Sequence, residues 1–373
     1  MKAVTFIVAR PLEERDYIRF GMRELVSHGV EINVIQISAL VFSFVQPYKN
    51  ENSDYSFPIH TVSTLNELRR LLNKINTKRI ITIGILPEKV TRVLKYSNDV
   101  ELGMQMLGSS PSVSTHHPLL VRLKRLTLKS IYNKSCTYIN KEEHYSVIFY
   151  AGKAMLDHAN KKKPQAKKIP CHSYDYYLSQ MISNKTTGNE EPIVFIDQML
   201  PFHSDFKLLF GQKNVEYHKY YEKLNILLNK AAVLFNRNVI ICAHPRVNEL
   251  EFDYSEFFPG FLVEGGNTSQ LIKQSFLCVT HYSTSIGMAV MHNKPVLLLN
   301  ANLLRERNVE VNLLKFSNEI NCSIIDIDTK YKLCNSILNI DKGAYQEYSI
   351  KYISDLNNKL VTNGQIMMKE FCS

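Results

Sequence analysis

Residues 276–300 read FLCVTHYSTSIGMAVMHNKPVLLLN. An apolar run at 276–281 is followed by a stretch with helical periodicity at 283–293, and a second apolar run covers 295–300. Apolar runs separated by an amphipathic segment are typical of parallel strands joined by a helix. Because both runs are apolar throughout, we expect them to form a parallel sheet that is covered on both faces.

The same alternation continues outward in both directions. It predicts strands at 3–9, 30–37, 79–86, 145–150, 191–197, 239–243, 260–266, 276–281, 295–300 and 323–327. It predicts helices at 65–75, 216–235, 268–275 and 283–293, and helical character after residue 345. Either Asn267 or Thr268 is placed to cap the third of these helices.

The chain is long enough for two domains. Its 373 residues exceed one typical core, and the polar segment SNKTTGNEEP (183–192) separates the two alternating halves. The sequence therefore predicts an α/β fold with two Rossmann-like domains that face a cleft. We expect the first domain at 1–185 and the second at 186–373, with the last helix packing back on the first domain.

Composition indicates a soluble globular protein of the cytoplasm. Hydrophobic residues make up 45% and charged residues 21% of the chain, and no apolar run approaches the ~20 residues that span a bilayer. The N-terminus has the pattern of a first strand and lacks a cleavage site for a signal peptide. Seven scattered cysteines without a CxxC pair favour reduced thiols, and no structural zinc site is expected.

Positive charge is concentrated in one window. Residues 121–170 contain 12 Lys and Arg against 3 Asp and Glu, a net +9 in a chain of net +10. On a helix over 118–132, Arg122, Arg125 and Lys129 share one face. Such a face could rest on an anionic membrane or receive a lipid pyrophosphate acceptor, or it could be only a solvated surface. His116 and His117 precede it and are candidates for the acceptor side; no nucleic-acid motif stands out.

Four polar sites lie at or just beyond the ends of predicted strands in the second half: Asp197, the run His244-Pro245-Arg246, Glu264, and the run Ser283-Thr284-Ser285. Ligands of open α/β sheets bind beyond the carboxyl ends of the strands. His and Arg could donate to a phosphate, and hydroxyls at a helix start add donors to its unpaired N–H groups. Glu264 suits a ribose hydroxyl pair or the backbone N–H groups of a base-binding loop.

Each of these sites also has a structural interpretation. His244 could be a structural residue at a strand end, and a single serine could cap the following helix. Asp197 could be a general base, a nucleophile or a ribose ligand, or it could cap the turn that follows it.

The spacing of these residues resembles a known donor site. The His244-Pro245 pair, Glu264 twenty residues later and Ser283-Thr284 nineteen residues after that resemble the donor site of bacterial GT-B sialyltransferases and Kdo transferases. The resemblance implies that His244 and Ser283-Thr284 hold the phosphate of a CMP-sugar and that Glu264 holds its ribose. The segments VFIDQMLPFHSDF, YYEKLN, AHP and THYSTSIGMAV, all within 190–300, also resemble bacterial surface-polysaccharide proteins.

One family motif is incomplete. The sialyltransferases carry a motif of two acidic residues followed by a glycine, and this motif supplies the catalytic base. The nearest match in this chain is Glu142-Glu143-His144, with His in place of Gly. Asp197 and Glu142 are therefore both candidates for the base, and His244 is a third catalytic candidate. No DxD pair lies in a donor loop, and we expect neither a metal nor a cofactor.

This resemblance implies a cytoplasmic glycosyltransferase of surface-polysaccharide synthesis, with residues 1–185 as the acceptor domain and 186–373 as the donor domain. It would move a sialic-acid-like sugar or Kdo from CMP to a glycan or lipid-linked acceptor, with peripheral contact to the inner membrane. Two alternatives stay open. One is a UDP- or GDP-sugar transferase or nucleotide-sugar epimerase of the same fold, and the other is a non-enzymatic basic protein that binds membranes or nucleic acid.

Overall fold

The chain is organised into two compact units. The computed structural model describes residues 3–12, 14–41, 55–75, 77–95, 100–108, 110–111, 145–180, 191–202, 217–244, 247, 252–306, 309–354, 356 and 361–372. The first unit comprises Met1–Ser109, Ser114–Tyr174 and Ser354–Ser373, and the second comprises Ser110–Val113 and Asp175–Ile353. Both are α/β units built on parallel sheets, as the sequence predicts.

The first unit contains a seven-stranded parallel sheet in the order β3-β2-β1-β4-β5-β6-β7. Its strands are β1 (Ala3–Val8), β2 (Glu31–Gln36), β3 (Ile59–Thr61), β4 (Arg79–Ile83), β5 (Glu101–Met106), β6 (Val147–Ala151) and β7 (Lys167–Cys171). Its helices are α1 (Glu14–Arg19), α2 (Met22–Ser27), α3 (Ser38–Val41), α4 (Leu65–Ile75), α5 (Glu88–Lys95) and α6 (Gly152–Lys162), and α7 (Tyr174–Gln180) starts at the unit boundary.

Helices cover the first sheet on both faces. Val4, Phe6 and Val8 of β1 join one buried cluster, and Ile7 of the same strand joins the other. Alternate residues of a strand point to opposite faces, so the two clusters are the two sides of one sheet. This double coverage explains why β1 is apolar along its whole length.

Three strands of the first sheet lack the apolar run by which the others are recognised. β3 and β7 are the two edges of the sheet, and β7 contains Lys167 and Pro170, which a central strand would not tolerate. β5 is central but contains Gly103, where a Cβ would lie 3.0 Å from Cγ1 of Val147. It also contains Gln105, whose buried amide donates to the carbonyl of Phe20.

The C-terminal residues belong to the first unit. Helix α14 (Asn363–Cys372) packs against α2, and glycines permit the close approach, because a Cβ on Gly364 would lie 2.4 Å from Cβ of Glu24. The side-chain amide of Asn363 accepts from the backbone N–H of His172 (2.9 Å) and donates to its carbonyl (3.0 Å). The last helix thus begins beside β7, which is the strand after which the chain passes into the second unit.

The second unit contains a six-stranded parallel sheet in the order β10-β9-β8-β11-β12-β13. Its strands are β8 (Ile193–Ile196), β9 (Val239–Cys242), β10 (Leu262–Glu264), β11 (Leu277–Thr280), β12 (Val296–Asn300) and β13 (Ser323–Asp326). Its helices are α8 (Tyr217–Phe235), α9 (Thr268–Gln274), α10 (Ile286–Met291), α11 (Asn302–Arg305), α12 (Glu310–Ile320) and α13 (Lys342–Tyr348), with a π-turn at Ser349–Ile353.

Two helix predictions differ from the structure. The expected cap of α9 is absent: the residue before it is Asn267, whose side chain makes no capping bond, and the hydroxyl of Thr268 lies 3.3 Å from Sγ of Cys242 instead. The helical stretch after 345 is also not continuous, because the described residues between the π-turn and α14 (354, 356, 361 and 362) are not helical. Among the residues described here, no helix has both the length and the apolar character needed to cross a membrane.

Candidate functional site

The carboxyl ends of four strands in the second sheet lie in one row. Thr280 of β11 pairs with Ile196 of β8, which pairs with Cys242 of β9, which pairs with Glu264 of β10. Strands are about 4.8 Å apart, so the row is about 14 Å wide. The residues that follow these strands therefore share one edge of the sheet.

This edge contains the topological switch point of the second unit. From β8 the chain runs to β9 and β10 on one side and then returns to β11 on the other. Strand order reverses between β8 and β11, where open α/β sheets leave a crevice for ligands. Asp197 directly follows β8, and His281 directly follows β11. The predicted donor residues thus belong to the strand ends at and beside this crevice.

Asp197 is buried at 3% exposure and both carboxylate oxygens are bonded. Oδ1 accepts from the backbone N–H of Met199 (3.0 Å), and Oδ2 accepts from the hydroxyl of Tyr254. Burial raises the pKa of this carboxyl to about 6, although these hydrogen bonds work in the opposite direction. This placement favours the turn-capping interpretation of Asp197 over a base, nucleophile or ribose ligand.

A buried chain of hydroxyls holds Asp197 in place. The hydroxyl of Tyr254 donates to Asp197, so the hydroxyl of Tyr221, 2.7 Å away, donates in turn to Tyr254. Burial raises the pKa of both tyrosines well above 10. The end of β8 is therefore fastened to α8 and to the turn at Tyr254–Phe257.

His281 is buried completely, and its tautomer follows from its partners. Nδ1 lies 2.7 Å from the carbonyl of Leu299, which can only accept, so Nδ1 carries the proton. Nε2 consequently accepts from the hydroxyl of Tyr220 at 2.7 Å. Burial lowers the pKa of His281 to about 4, so the ring is neutral at pH 7. His281 is a structural residue that ties the end of β11 to α8.

His244 lies two residues beyond β9 and is partly exposed. Its carbonyl accepts from the N–H of Val247 (2.9 Å), which forms a turn directly after the strand. This position lets the imidazole reach a ligand at the carboxyl edge.

Glu264 ends β10 and is half-buried. Its carbonyl accepts from the N–H of Ala243 (2.8 Å), so the ends of β9 and β10 are joined. Within the described part of the chain, no hydrogen bond or ion pair engages its carboxylate. The next residues, Gly265 and Gly266, have open space at their Cβ positions, and Gly266 has φ +82°. Glu264 is thus available to a ligand that approaches the backbone closely.

The sequence predicts that the hydroxyl run 283–285 forms the first turn of a helix. In the structure these residues instead lie in a turn just before α10. The N–H groups of Ile286, Gly287 and Met288 each donate to a carbonyl three residues back. The expected unpaired N–H groups for an anion are therefore absent at these three residues. Ser283 Oγ accepts from the N–H of Ser285 (3.2 Å), and Thr284 is exposed. The hydroxyls, rather than the backbone, remain the candidate phosphate donors.

Asp326, the last residue of β13, and Asp328 just beyond it form an acidic pair with DxD spacing, but not a free DxD site. Asp326 is bonded to Arg305, and Asp328 accepts from Nζ of Lys223 (2.6 Å). In the described ranges, no group of three or more His, Cys, Asp or Glu side chains is arranged to hold a metal ion. The acidic pair instead anchors α8 and α11 to the end of β13.

Several predicted residues lie outside the described residues, and their positions are not assigned. They are Glu142 of the candidate acidic motif, Pro245 and Arg246 after β9, and His116, His117, Arg122, Arg125 and Lys129 of the basic segment.

Sequence reasoning missed the residues that shape the crevice. Tyr220 and Tyr221 of α8, Tyr254 and Gln198 were not singled out. Adjacent tyrosines on a buried helix were the available signal, since a buried tyrosine hydroxyl requires a partner. Gln198 directly follows the strand-ending aspartate, and its Oε1 accepts from the N–H of Tyr282 (3.0 Å) across the switch point.

Comparison with known proteins identifies the fold. No protein-family model and no curated protein sequence matches the chain. The glycotransferase of kitacinnamycin aligns over 98% of this chain and 97% of its own, with 13% identity and a TM-score of 0.55. A UDP-N-acetylglucosamine 2-epimerase aligns over 98% and 93%, with 13% identity and a TM-score of 0.51. The Methanocaldococcus jannaschii UDP-GlcNAc 2-epimerase in complex with UDP-GlcNAc and UDP aligns over 100% and 99%, with 11% identity and a TM-score of 0.51.

These matches cover both units and establish a two-domain α/β fold of the GT-B type. The structures include a glycosyltransferase and epimerases, and none of the three is named for a CMP-sugar. At 11–13% identity the likeness concerns the fold alone.

Proposed function

We propose that this chain is a glycosyltransferase that binds a nucleotide-sugar at the carboxyl edge of its second sheet. The observation that carries the proposal is the row of strand ends at and beside the switch point, where His244 follows β9, Glu264 ends β10 and Thr284 follows β11. An imidazole, a carboxylate and a hydroxyl supply the complementary groups for a phosphate and a ribose.

Each residue has a distinct role in this proposal. His244 and the hydroxyls of 283–285 contact the phosphate, and Glu264 accepts from the ribose hydroxyls, with Pro245 and Arg246 completing the phosphate side. In the transfer, the acceptor oxygen forms a bond to the anomeric carbon while the bond to the phosphate oxygen breaks, and the nucleotide leaves with the electron pair. A base takes the acceptor proton. Since Asp197 is buried and bonded, Glu142 is the stronger base candidate.

The finer proposal concerns donor and acceptor. The resemblance of these motifs to the donor site of GT-B sialyltransferases and Kdo transferases favours a CMP-activated acidic sugar, either a sialic-acid-like nonulosonate or Kdo, and a glycan or lipid-linked acceptor of bacterial surface polysaccharide. A cytoplasmic enzyme that touches the inner membrane peripherally fits the basic segment. At the C-terminal part of this basic segment, three lysines of α6 are exposed: Lys153, Lys161 and Lys162.

A nucleotide panel tests this proposal. CMP, UDP and GDP are added separately to the wild-type chain, and melting temperature and dissociation constant are measured. We expect stabilisation by CMP, and a loss of affinity of about 10-fold or more in His244→Ala, because a charge-assisted bond to phosphate is removed. His292→Ala is the matched control, because His292 follows the last residue of α10 and so lies toward the opposite edge of the sheet.

The panel can also refute the proposal. If no nucleotide stabilises the wild-type chain, it is not a nucleotide-sugar enzyme. If His244→Ala and His292→Ala bind equally well, the nucleotide does not contact the end of β9.

A second candidate is a UDP-sugar transferase or a UDP-sugar epimerase. It is favoured by the likeness over nearly the full chain to an epimerase structure in complex with UDP-GlcNAc and UDP. Stabilisation by UDP and not CMP would support it. An epimerase would convert UDP-GlcNAc without any acceptor, which proton NMR of the anomeric signals detects, whereas a transferase would leave the sugar configuration unchanged.

A further inference from the structure

Gln198 occupies the switch point itself. It follows Asp197 after β8, and its side-chain Oε1 accepts from the backbone N–H of Tyr282, the second residue after β11 (3.0 Å). The amide therefore bridges the two strand ends between which the strand order reverses.

The orientation of this amide is determined by its partner. A backbone N–H can only donate, so the oxygen faces Tyr282 and the NH₂ group points away from it. Gln198 is partly exposed. Among the residues that the structure describes, none accepts a hydrogen bond from Nε2. The amide thus presents two N–H donors at the carboxyl edge while its acceptor is occupied.

The turn that carries Gln198 is held rigidly. The N–H of Asp197 donates to the carbonyl of Cys242 (3.0 Å), and the carboxylate of Asp197 caps Met199, whose φ of 51° is unusual for a residue with a side chain. The hydroxyl of Tyr254 donates to that carboxylate and accepts from the hydroxyl of Tyr221, which holds the carboxylate in place. A donor on a locked turn needs little reordering when a ligand binds, which is the arrangement expected of a binding residue.

We propose that Nε2 of Gln198 donates a hydrogen bond to a phosphate oxygen of the bound nucleotide, and that Asp197 is the positioning residue that orients it. This inference rests on the proposed nucleotide site and adds a residue to it. A phosphate at the switch point lies between the loop of Gln198 and the hydroxyls of 283–285. The neutral amide completes the donor set without adding charge.

Gln198→Glu separates this role from a structural one. Glutamate keeps an oxygen for the N–H of Tyr282, so the bridge and the melting temperature are retained, but it replaces the NH₂ donors by a second anionic oxygen that repels phosphate. We expect the affinity for CMP or UDP to fall about 10- to 100-fold, and the affinity for cytidine or uridine to change less than 3-fold. Gln346→Glu on the exposed face of α13 adds the same charge and is the control.

A second measurement covers the case in which Gln198→Glu does not fold. In chain labelled with ¹⁵N-glutamine, the side-chain NH₂ pair that disappears in Gln198→Ala belongs to Gln198. We expect this pair to shift when CMP or UDP is added to the wild-type chain and not when cytidine or uridine is added.

The outcomes distinguish the two proposals. If the wild-type chain binds no nucleotide, the proposed function fails and the role of Gln198 falls with it. If the wild-type chain binds but Gln198→Glu binds as tightly as Gln346→Glu, only the role of Gln198 is overturned. An NH₂ pair that does not respond to nucleotide also overturns it, as does equal weakening for nucleotides and nucleosides.

Discussion

Two buried titratable residues, Asp197 and His281, end the neighbouring strands β8 and β11, and their ionisation acts on folding in opposite directions. Burial raises the pKa of Asp197 to about 6, so its contribution to stability is present below its unfolded pKa near 4 and is lost as pH rises through about 6. Burial lowers the pKa of His281 to about 4, so its contribution is present above about 6.5 and is lost as pH falls through about 4.

We therefore expect single substitutions to reveal opposite pH slopes. From pH 4.5 to 6.5, each group changes the free energy of unfolding by about 2 kcal/mol, with opposite signs. Relative to wild type, the stability of Asp197→Asn should rise by about 2 kcal/mol more over this interval, and that of His281→Gln should rise by about 2 kcal/mol less. Urea unfolding at the two pH values measures both. Slopes equal to the wild-type slope would show that neither group titrates as its burial requires.

At the residue scale, sequence patterns located the strand ends but not their hydrogen bonds. Asp197, Glu264 and His244 all lie at or just beyond the ends of predicted strands, because a polar residue after an apolar run is a local feature. The side-chain partner of Asp197 is Tyr254, 57 residues away in the chain, and Tyr254 in turn accepts from Tyr221, 24 residues from Asp197. No local pattern predicts such a contact, so the sequence left both a base and a turn cap open.

At the scale of secondary-structure elements, the close contact between α2 and α14 depends on Gly364, which has no side chain. A Cβ on Gly364 would lie 2.4 Å from Cβ of Glu24, a separation that backbone or side chain must relieve by moving. Gly364→Ala should therefore lower the free energy of unfolding by about 1–3 kcal/mol. Chemical denaturation measures it.

Gly343→Ala in α13 is the control for that substitution. There a Cβ would meet Oδ1 of Asp341 at an ordinary 3.4 Å, and alanine is the better helix former. It should leave stability unchanged or raise it by up to about 1 kcal/mol. Equal effects of the two substitutions would mean that α2 and α14 are not closely packed.

Elements with a continuous apolar run were predictable, and those shaped by tertiary contacts were not. β8 and β11 are buried throughout, as is β12 up to Leu299, so these buried residues are small, branched or apolar. β5 was missed because its glycine and glutamine serve packing and a buried hydrogen bond. The start of α10 was placed too early because hydroxyls favour both a helix cap and the turn before it.

At the scale of the whole molecule, both units repeat one strand order, with the third, second and first strands followed by the fourth, fifth and sixth. The two-domain α/β class was predictable, because alternation of strands and helices is a property of the whole sequence. The division of the chain was predictable only in part. The last helix was expected to pack back on the first domain, but the contacts of residues 354–373 with α2 and His172 have no sequence signature, and the structure divides the units after Tyr174 and not after residue 185.

The central claim is that the carboxyl edge of the second sheet holds a nucleotide. A crystal structure of the chain with the nucleotide that raises its melting temperature most tests it directly. We predict a phosphate beyond the ends of β8, β9 and β11, with Nε2 of Gln198 and the imidazole of His244 within about 3.2 Å of its oxygens. A nucleotide bound at the opposite edge of this sheet, or only to the first unit, would contradict the account.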